Sequence, residues 1–473
     1  MRRPHFCHFS LSFALLAATT TACARASANG GTTDIAAASS RAGERVTAEL
    51  SALTFDSAWR VVRDSYYDPG MHGVDWNRVR EELRPKAEHA GTLGELRSVL
   101  REMVSRLGES HFALIPDEIV TALDPKRLRS TSSAADSLGR PGDAGVEFRL
   151  IDSDVVVWRV DEAGPAYAAG VRTGWIIDSV ERYGAAQGRA TLQRAKTESE
   201  LRETRLRLPY TVMSLFNGSA GTTVKARFLD AARKPVEVSM TRRPIPGEPV
   251  RFGNLPTLFA HLSSSRVPIP GDPRSGCVGV IRFNTWMTPV LPAFERALDS
   301  LRDCRGIVVD VRGNLGGLGA MVMGIGGFFI DSVVALGTMR TRGSEMRFVT
   351  NPRRATAKGE PARPYAGPVA VLTDKLSMST SEIFAAGLQG VGRARVFGDT
   401  TGRQALPALV LRLPTGDVLM HAFADFVDPR GRRIEGRGAI PDEAVPLRRE
   451  ALLKGRDEPL EAAIAWIAKS PGK

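Results

Sequence analysis

Cysteine and histidine are scarce in this sequence. Its 473 residues include four cysteines and seven histidines. They form no H-E-x-x-H motif and no pair of C-x-x-C motifs, which would indicate zinc, and there is no G-x-x-x-x-G-K-[ST] loop for nucleotide phosphates. The sequence therefore predicts a protein without a metal or nucleotide cofactor.

Clustered positive charge is also missing, although the net charge is +12. The excess comes mostly from arginines spread along the chain, and aromatic residues make up only 7% of it. Nucleic-acid-binding domains gather basic residues on one face or carry a zinc knuckle, and neither pattern is present. We therefore predict no nucleic-acid partner.

The apolar run near the start of the chain, 11–18, is too short to span a bilayer as a stable helix. It follows two arginines and precedes an A-x-A sequence at 26–28, the pattern of a cleaved secretory signal. We therefore expect a signal peptide at 1–28, a linker at 29–46 and export to the periplasm or cell envelope.

The cysteines suggest two modifications. Cleavage before Cys23, with a lipid added to that residue, is an alternative to the A-x-A site and would attach the chain to a membrane. Cys277 and Cys304 each precede an apolar run, at 278–283 and 306–311. If these runs are neighbouring parallel strands, both cysteines lie at one sheet edge and a disulfide can form in an oxidising compartment. Two buried free thiols are the alternative.

Periodicity divides the mature chain into three parts. Residues 47–125 show apolar residues at i, i+3 and i+4, which predicts a helical domain. Residues 142–243 change to short strands with glycine turns. Residues 250–470 alternate strands and helices, which is typical of an α/β domain with parallel strands. The predicted fold class is therefore α/β with a β-rich domain and an N-terminal helical segment.

One stretch of the third part has the pattern of a nucleophile. An apolar strand at 369–372 is followed by a polar loop, and Ser379 stands where a helix begins. A hydroxyl there has unpaired backbone N–H groups and the positive end of a helix dipole beside it. Ser379 and Glu382 also form an S-x-x-E capping box, which needs no catalysis to explain it.

A serine nucleophile needs a base, and several residues are candidates. His111 follows the last predicted helix of the first part. Lys375 is close to Ser379 in sequence but lies in a polar loop, where an ammonium is usually solvated. His421 follows a predicted strand. A lone histidine is more often structural than catalytic, so position alone does not choose among them.

The middle part resembles a PDZ domain. In residues 164–177 a short helix ends at A-G-V and a strand follows T-G-W, as in that family, and 222–228 with 236–242 fits its closing hairpin. Such a domain would take a peptide C-terminus by adding it as a strand. The insertion at 184–217 is longer and more charged than usual, and a β-rich spacer that binds nothing is the alternative.

The order of motifs resembles the C-terminal-processing (tail-specific) serine peptidases and their tricorn-core relatives, over about 55–467. The motifs are D-V-R-G-N-L-G-G at 310–317, S-T-S-E-I-F-A-A-G-L at 379–388 and E-G-R-G-A-I-P-D at 435–442. The resemblance implies a crotonase-like (ClpP-like) catalytic core and a serine endopeptidase that hydrolyses polypeptides without a cofactor.

The family activates its serine in two ways. In the tail-specific branch a lysine follows the serine, but residues 398–404 read G-D-T-T-G-R-Q, and Arg403 stays protonated and cannot act as a base. The tricorn-like branch uses a histidine instead. The resemblance then implies a catalytic set whose members are Ser379, His111, Ser110 and Glu435.

The resemblance also implies an oxyanion hole, made by the N–H of Thr380 and one from Gly316 or Gly317. Two other functional classes remain open on the sequence alone. One is a non-catalytic peptide-binding envelope protein in which Ser379 is only a helix cap. The other is a hydrolase or binder of small apolar ligands. The oligomeric state is not indicated.

Overall fold

The computed structural model describes residues 41–122, 140–270 and 276–470. The predicted signal peptide, Cys23 and most of the predicted linker lie outside the described residues. Within them, no helix is long and apolar enough to cross a membrane.

The first unit is helical. Its helices begin at polar caps: the side chains of Thr47, Asp75 and Thr92 accept a backbone N–H from the first turn of the helix that follows. Their apolar faces bury one common core. The helices are Ala48–Ser65, Met71–Gly73 (3-10), Trp76–Glu88, Leu93–Ser105 and Asp117–Ala122.

This helical unit is joined to the C-terminal part of the chain by a small sheet. Strand Ala113–Ile115 pairs antiparallel with Val418–Ala422, which also pairs with Ala408–Arg412. Buried Arg97 reinforces the contact, because its guanidinium donates to both carboxylate oxygens of Asp417 at 2.7 and 2.9 Å. Residues 110–112, just before the first of these strands, are therefore held against the third unit.

The second unit is β-rich. Its main sheet packs against the helices of the 184–217 insertion and has a separate core. The sheet runs in the order Val146–Ile151, Asp154–Val160, Ile176–Val180, Thr223–Leu229, Pro235–Thr241, with Tyr183–Gly184 beside Ile176–Val180. The helices are Pro165–Ala168, Ala185–Arg194 and Glu198–Phe216. A second sheet of this unit has three strands, in the order Arg243–Pro244, Pro141–Asp143, Gly218–Ser219.

The third unit is an α/β domain around a six-stranded sheet. The strand order is Leu262–Pro268, Cys277–Phe283, Gly306–Asp310, Val369–Thr373, Arg395–Gly398, Glu443–Ala444. The first pair is antiparallel and the other neighbours are parallel, as the β-α alternation predicts. The main helices are Val290–Ser300, Met321–Gly326, Thr380–Gly390 and Glu458–Lys469, and Arg449–Leu452 is a single turn.

Both faces of this sheet are covered, and every residue of its two central strands is buried. In the strand Gly306–Asp310, Ile307 and Val309 face the main core, whereas Val308 belongs to the cluster with the last helix. Two further pairings flank the domain, Glu248–Val250 with Leu258–Ala260, and Ala335–Arg340 with Glu345–Val349 and Asp425–Val427.

The predicted disulfide is confirmed. Strand Cys277–Phe283 runs parallel to Gly306–Asp310, so Cys277 and Cys304 meet at the same sheet edge and are bonded. The alternative of two free thiols is therefore wrong.

Candidate active site

Ser379 lies between the carboxyl end of strand Val369–Thr373 and the helix Thr380–Gly390. Its backbone has φ 57° and ψ −119°. A positive φ is rare for a residue with a side chain and costs on the order of 1–3 kcal/mol, so it persists only where the surroundings impose it. Such backbone strain is typical of functional sites, and the hydroxyl stands at the helix N-terminus.

Glu382 imposes much of this conformation. Its buried carboxylate accepts the N–H of Ser379 at 2.9 Å, as the capping box predicts. It also accepts three more donors, the hydroxyl of Thr401 and the N–H groups of Arg403 and Gln404, at 2.5, 2.8 and 2.9 Å. Burial raises the pKa of Glu382 to about 7. The carboxylate of Glu382 therefore connects the serine turn to residues 401–404 through hydrogen bonds.

The glycine-rich turn that follows strand Gly306–Asp310 lies directly against Ser379. A Cβ atom at Gly316 would be 2.7 Å from the Cβ of Ser379 and 3.1 Å from its Oγ. Only glycine permits this approach, and its φ of 102° also favours glycine. Asn314 fixes the turn, because its carbonyl accepts the N–H of Met378 and its side chain accepts the N–H of Gly316.

The backbone N–H groups of Gly317 and Thr380 make no hydrogen bond within the described residues. The two residues are adjacent, because the hydroxyl of Thr380 donates to the carbonyl oxygen of Gly317 at 2.8 Å. The N–H of Gly316 already donates to Asn314 at 2.9 Å. Of the two glycine alternatives, Gly317 is therefore the one with a donor to offer.

His111, Ser110 and Glu435 form a hydrogen-bonded chain. The Oγ of Ser110 is 2.5 Å from Nδ1 of His111 and 3.0 Å from Oε2 of Glu435. Oε1 of Glu435 accepts the backbone N–H of Ser110 at 3.2 Å. His111 has a φ of 64°, so this residue, like Ser379, is held in a strained backbone conformation.

Proton positions in this chain follow from the charges. Burial lowers the pKa of His111 to about 3, so the ring is neutral near pH 7. Burial, with a contribution from Glu382, raises the pKa of Glu435 to about 7. When Glu435 is ionised it can only accept, so Ser110 donates to it and His111 donates Nδ1–H to Ser110. Nε2 is then unprotonated and available as a base.

Residues 404 and 405 connect the serine turn to the carboxylate of the Glu435–Ser110–His111 chain. The carbonyl of Gln404 accepts the N–H of Ser379 at 2.8 Å, and the N–H of Ala405 donates to Glu435 at 2.7 Å. Within the described chain no hydrogen bond joins the His111 ring to the Ser379 hydroxyl.

The other candidate bases are placed differently. Lys375 is exposed and lines an interdomain cavity. His421 is fully buried within strand Val418–Ala422, with Nδ1 3.4 Å from the Oγ of Ser65. Neither makes a hydrogen bond to Ser379 in the described part of the chain.

Sequence reasoning missed how closely the β-rich unit covers the serine turn. In helix Glu198–Phe216, Leu206 packs on Leu376 and Met378, and Tyr210 donates to the carbonyl of Leu376 at 3.4 Å. Ser379, which follows Met378, is 4% exposed. The length and charge of the insertion at 184–217 mark it as unusual but do not indicate this contact.

A second interdomain contact, also missed, joins Arg149 of the β-rich unit to the serine turn. Nε of Arg149 donates to Asp374 at 2.6 Å, and Asp374 accepts the N–H of Gly313 at 3.0 Å. Beside it lies a cavity of about 280 Å³ between the two units. No local sequence pattern links residues 225 positions apart in the chain.

Comparisons with known proteins match two regions of the chain. Residues 277–445 match the model of peptidase family S41, and residues 52–105 match the tricorn protease C1 domain. The chain is 24% identical over 401 residues to carboxyl-terminal-processing peptidase 2, chloroplastic, of Arabidopsis thaliana, covering 83% of this chain and 68% of the relative. It is 24% identical over 421 residues to tricorn protease homolog 1 of Streptomyces coelicolor, covering 87% of this chain and 34% of the relative.

Among solved structures, the photosystem II D1 C-terminal processing protease is similar in fold. It superposes with a TM-score of 0.55 and 21% identity, covering 89% of this chain and 98% of that chain. The chain thus carries a peptidase S41 domain together with a tricorn C1 domain, its relatives include carboxyl-terminal-processing peptidases, and it is a serine-type peptidase.

Proposed function

We propose that this protein is an exported serine endopeptidase that hydrolyses polypeptides through an acyl-enzyme on Ser379, with His111 as the base. One observation carries the proposal. A strained serine at a helix N-terminus and a Glu435–Ser110–His111 chain are both hydrogen-bonded to the consecutive residues Gln404 and Ala405. This is the Ser–His type of site that the sequence motifs imply.

In the first step, Nε2 of His111 takes the proton of the Ser379 hydroxyl while Oγ attacks the carbonyl carbon of the peptide bond. Ser110 is hydrogen-bonded both to Glu435 and to the His111 ring. These hydrogen bonds orient the ring, and the negative charge of Glu435 stabilises the imidazolium that forms. His111 then gives the proton to the leaving amine. His111 then takes a proton from water, which attacks the carbonyl carbon of the Ser379 ester. The proton passes to Oγ as the ester bond breaks, which releases the acyl product and restores the Ser379 hydroxyl.

The oxyanion that forms in each step needs donors beside Ser379. The N–H groups of Thr380 and Gly317 have no other hydrogen bond in the described residues, and both are close to the serine. We assign the oxyanion hole to these two groups. The N–H of Gly316 is less suitable, because it is already bonded to Asn314, and Gly316 serves the site by its lack of a side chain.

We further propose three functional parts: a helical domain, 47–125, that supplies Ser110 and His111, a PDZ-like domain, 142–243, and a crotonase-like core, 250–470. The PDZ-like domain would recruit polypeptide C-termini. The cavity between the second and third parts supports this, because it lies beside the serine turn and is lined by both units.

Export is supported by two features. The first is the signal-like sequence before residue 29, with Cys23 as an alternative lipidation site. The second is the Cys277–Cys304 disulfide, since structural disulfides persist mainly in oxidising compartments. Fractionation of cells that express the full chain tests the location, and globomycin sensitivity of processing tests lipidation at Cys23.

A serine-reactive fluorophosphonate probe tests the mechanism. Wild-type protein should be labelled and should digest an unfolded polypeptide, whereas Ser379→Ala should do neither. His111→Gln should reduce both by at least 100-fold. Labelling and digestion that survive Ser379→Ala would overturn the assignment of the nucleophile, and an unlabelled wild type that binds peptides would favour a binding protein. Parallel assays on esters and lipids test the small-ligand alternative.

A further inference from the structure

A second buried cluster lies beside the candidate site and is centred on Glu109. Its carboxylate accepts the hydroxyls of Tyr66 and Tyr67 at 2.5 and 2.7 Å. It also accepts the guanidinium of Arg433 at 2.5 Å, and Nε2 of His72 is 3.3 Å from it. The side chain of Glu109 is 8% exposed. The proposed reaction uses none of these groups.

The two charged members stand next to the residues of the site. Glu109 directly precedes Ser110 and His111, and Arg433 precedes Glu435 by two positions. Arg433 is itself fixed from the other side, because its Nε donates to Asp425 at 3.0 Å. The Glu109–Arg433 ion pair therefore joins the two chain segments that must meet for Ser110 to reach Glu435.

His111 needs such an anchor because its φ of 64° is unfavourable. A strained backbone relaxes unless the residues on both sides are held. On the C-terminal side, strand Ala113–Ile115 is held by pairing with Val418–Ala422. On the N-terminal side, Gly108 also has a positive φ, so no regular structure holds the chain there. There the side-chain contacts are those of the Glu109 cluster and the hydrogen bonds of Ser110 to Glu435.

We propose that Glu109 and Arg433, supported by Tyr66 and Tyr67, position the Ser110–His111 segment against Glu435 and so keep His111 in its productive conformation. This inference rests on the proposed function, since it assigns positioning residues to that reaction. Neither residue contacts the reacting atoms. Loss of Arg433 leaves the buried carboxylate of Glu109 without its arginine, which destabilises the local arrangement more than loss of a surface ion pair would. Loss of the Glu109 charge leaves Arg433, whose side chain is 36% exposed, paired with Asp425 alone.

The variants for the test are Glu109→Gln and Arg433→Met, which remove one charge each, and Tyr66→Phe, which removes one hydrogen bond. Arg433→Lys keeps the charge but not the planar fork. Asp417→Asn is the matched control, because Asp417 is also a buried carboxylate paired with arginine across the same two units. Circular dichroism and thermal unfolding show that each variant is folded.

Two readouts are independent of each other. The first is hydrogen exchange of the Ser110 amide, whose N–H donates to Glu435. We expect at least tenfold faster exchange in Glu109→Gln and Arg433→Met, about threefold in Tyr66→Phe, and less than twofold in Asp417→Asn, whose pair with Arg97 supports the strand after His111 and not the residues before it. The second is kinetics on an unfolded polypeptide, where kcat should fall at least tenfold in the first two with KM within twofold, and Arg433→Lys should recover part of it.

Unchanged exchange at Ser110 in both charge variants overturns the inference, and so does an equal effect of Asp417→Asn. If wild-type protein hydrolyses nothing, the proposed function fails, but the exchange measurement still decides whether the cluster holds this segment. Accelerated exchange together with an unchanged kcat would show that the cluster orders the segment without serving catalysis, and this also overturns the positioning role.

Discussion

At the level of single residues, the site combines two strained backbones with two buried carboxylates. Ser379 and His111 both have positive φ values, and Glu382 and Glu435 hold them through hydrogen bonds from backbone and hydroxyl donors. The strain is therefore maintained by polar contacts that are themselves shielded from water. Changes at the carboxylates and at the serine should consequently have different effects on stability.

Ser379→Ala and Glu382→Gln separate these effects. The alanine variant should be inactive but within about 0.5 kcal/mol of wild type in free energy of unfolding, since it removes no donor from the network. In Glu382→Gln, one carboxylate oxygen becomes an NH2 group that faces N–H donors and cannot accept their hydrogen bonds. We expect this variant to lose about 3 kcal/mol in free energy of unfolding. Urea denaturation of both variants measures this. Equal stabilities would show that Glu382 does not hold the serine turn.

The pH dependence should be set by Glu435 rather than by the histidine. Below its pKa of about 7, Glu435 is protonated and can donate to Ser110, which reverses the chain and leaves Nε2 of His111 protonated. His111, with a pKa of about 3, stays neutral throughout this range. Hence kcat/KM should rise tenfold per pH unit below 7 and level off above it.

Glu435→Gln should lower activity and remove this acid limb, because the amide does not titrate. A pH profile of kcat/KM for both proteins checks it. A variant profile that keeps the same midpoint would assign the limb to another group, of which Glu382, with its raised pKa, is the nearest.

The sequence predicted the members of this chain from motifs, but not the further contacts of Glu382 or the cluster at Glu109. Motifs record which residue types recur at fixed spacing, whereas these contacts join residues that only the folded chain brings together. The capping box predicts one of the four hydrogen bonds that the Glu382 carboxylate accepts, the one from the N–H of Ser379. The catalytic roles themselves stay predictions until variants are assayed.

At the level of secondary structure, the sequence predicted the main elements well because their burial is regular. The parallel pairing of Cys277–Phe283 with Gly306–Asp310 followed from β-α alternation, and it placed the disulfide correctly. The insertion at 184–217 was less predictable. It forms two helices, and nothing in its charge pattern indicates that Leu206 packs against the serine turn.

The disulfide should stabilise the sheet edge. It closes a loop with a sequence separation of 27 residues, for which chain entropy gives about 3.5 kcal/mol. Reduction with dithiothreitol under mild denaturation should lower the free energy of unfolding of wild type by about that amount. A Cys277→Ala/Cys304→Ala double variant should show the lower stability with and without the reductant. If the reductant destabilises this variant equally, its effect does not come from the disulfide.

At the level of the whole molecule, the site is assembled from all three units. The helical unit brings Ser110 and His111, the α/β unit brings Ser379 and Glu435, and the β-rich unit covers the serine turn with helix Glu198–Phe216. The β-rich unit has its own core, whereas the core of the helical unit includes Leu406, Leu413 and Leu419 of the α/β unit, so the site depends on contacts between units. This arrangement leaves Ser379 4% exposed, which restricts the substrates that can reach it.

We therefore expect the enzyme to cleave unfolded polypeptides faster than folded proteins. A folded domain cannot bring an internal peptide bond to a serine that is 4% exposed, whereas an extended segment needs much less space. A single test protein should be cleaved at least tenfold faster when a destabilising mutation unfolds it than when it is native, as followed by gel electrophoresis and mass spectrometry.

A short peptide ester supplies the control for this comparison, because its turnover should not depend on the state of the test protein. Fusing an unstructured tail to the native protein should restore cleavage within the tail, since the tail can enter alone. Equal cleavage of native and unfolded forms would mean that the units separate far enough to admit a folded domain. The contacts of Leu206 with Leu376 and Met378 would then not limit access to Ser379.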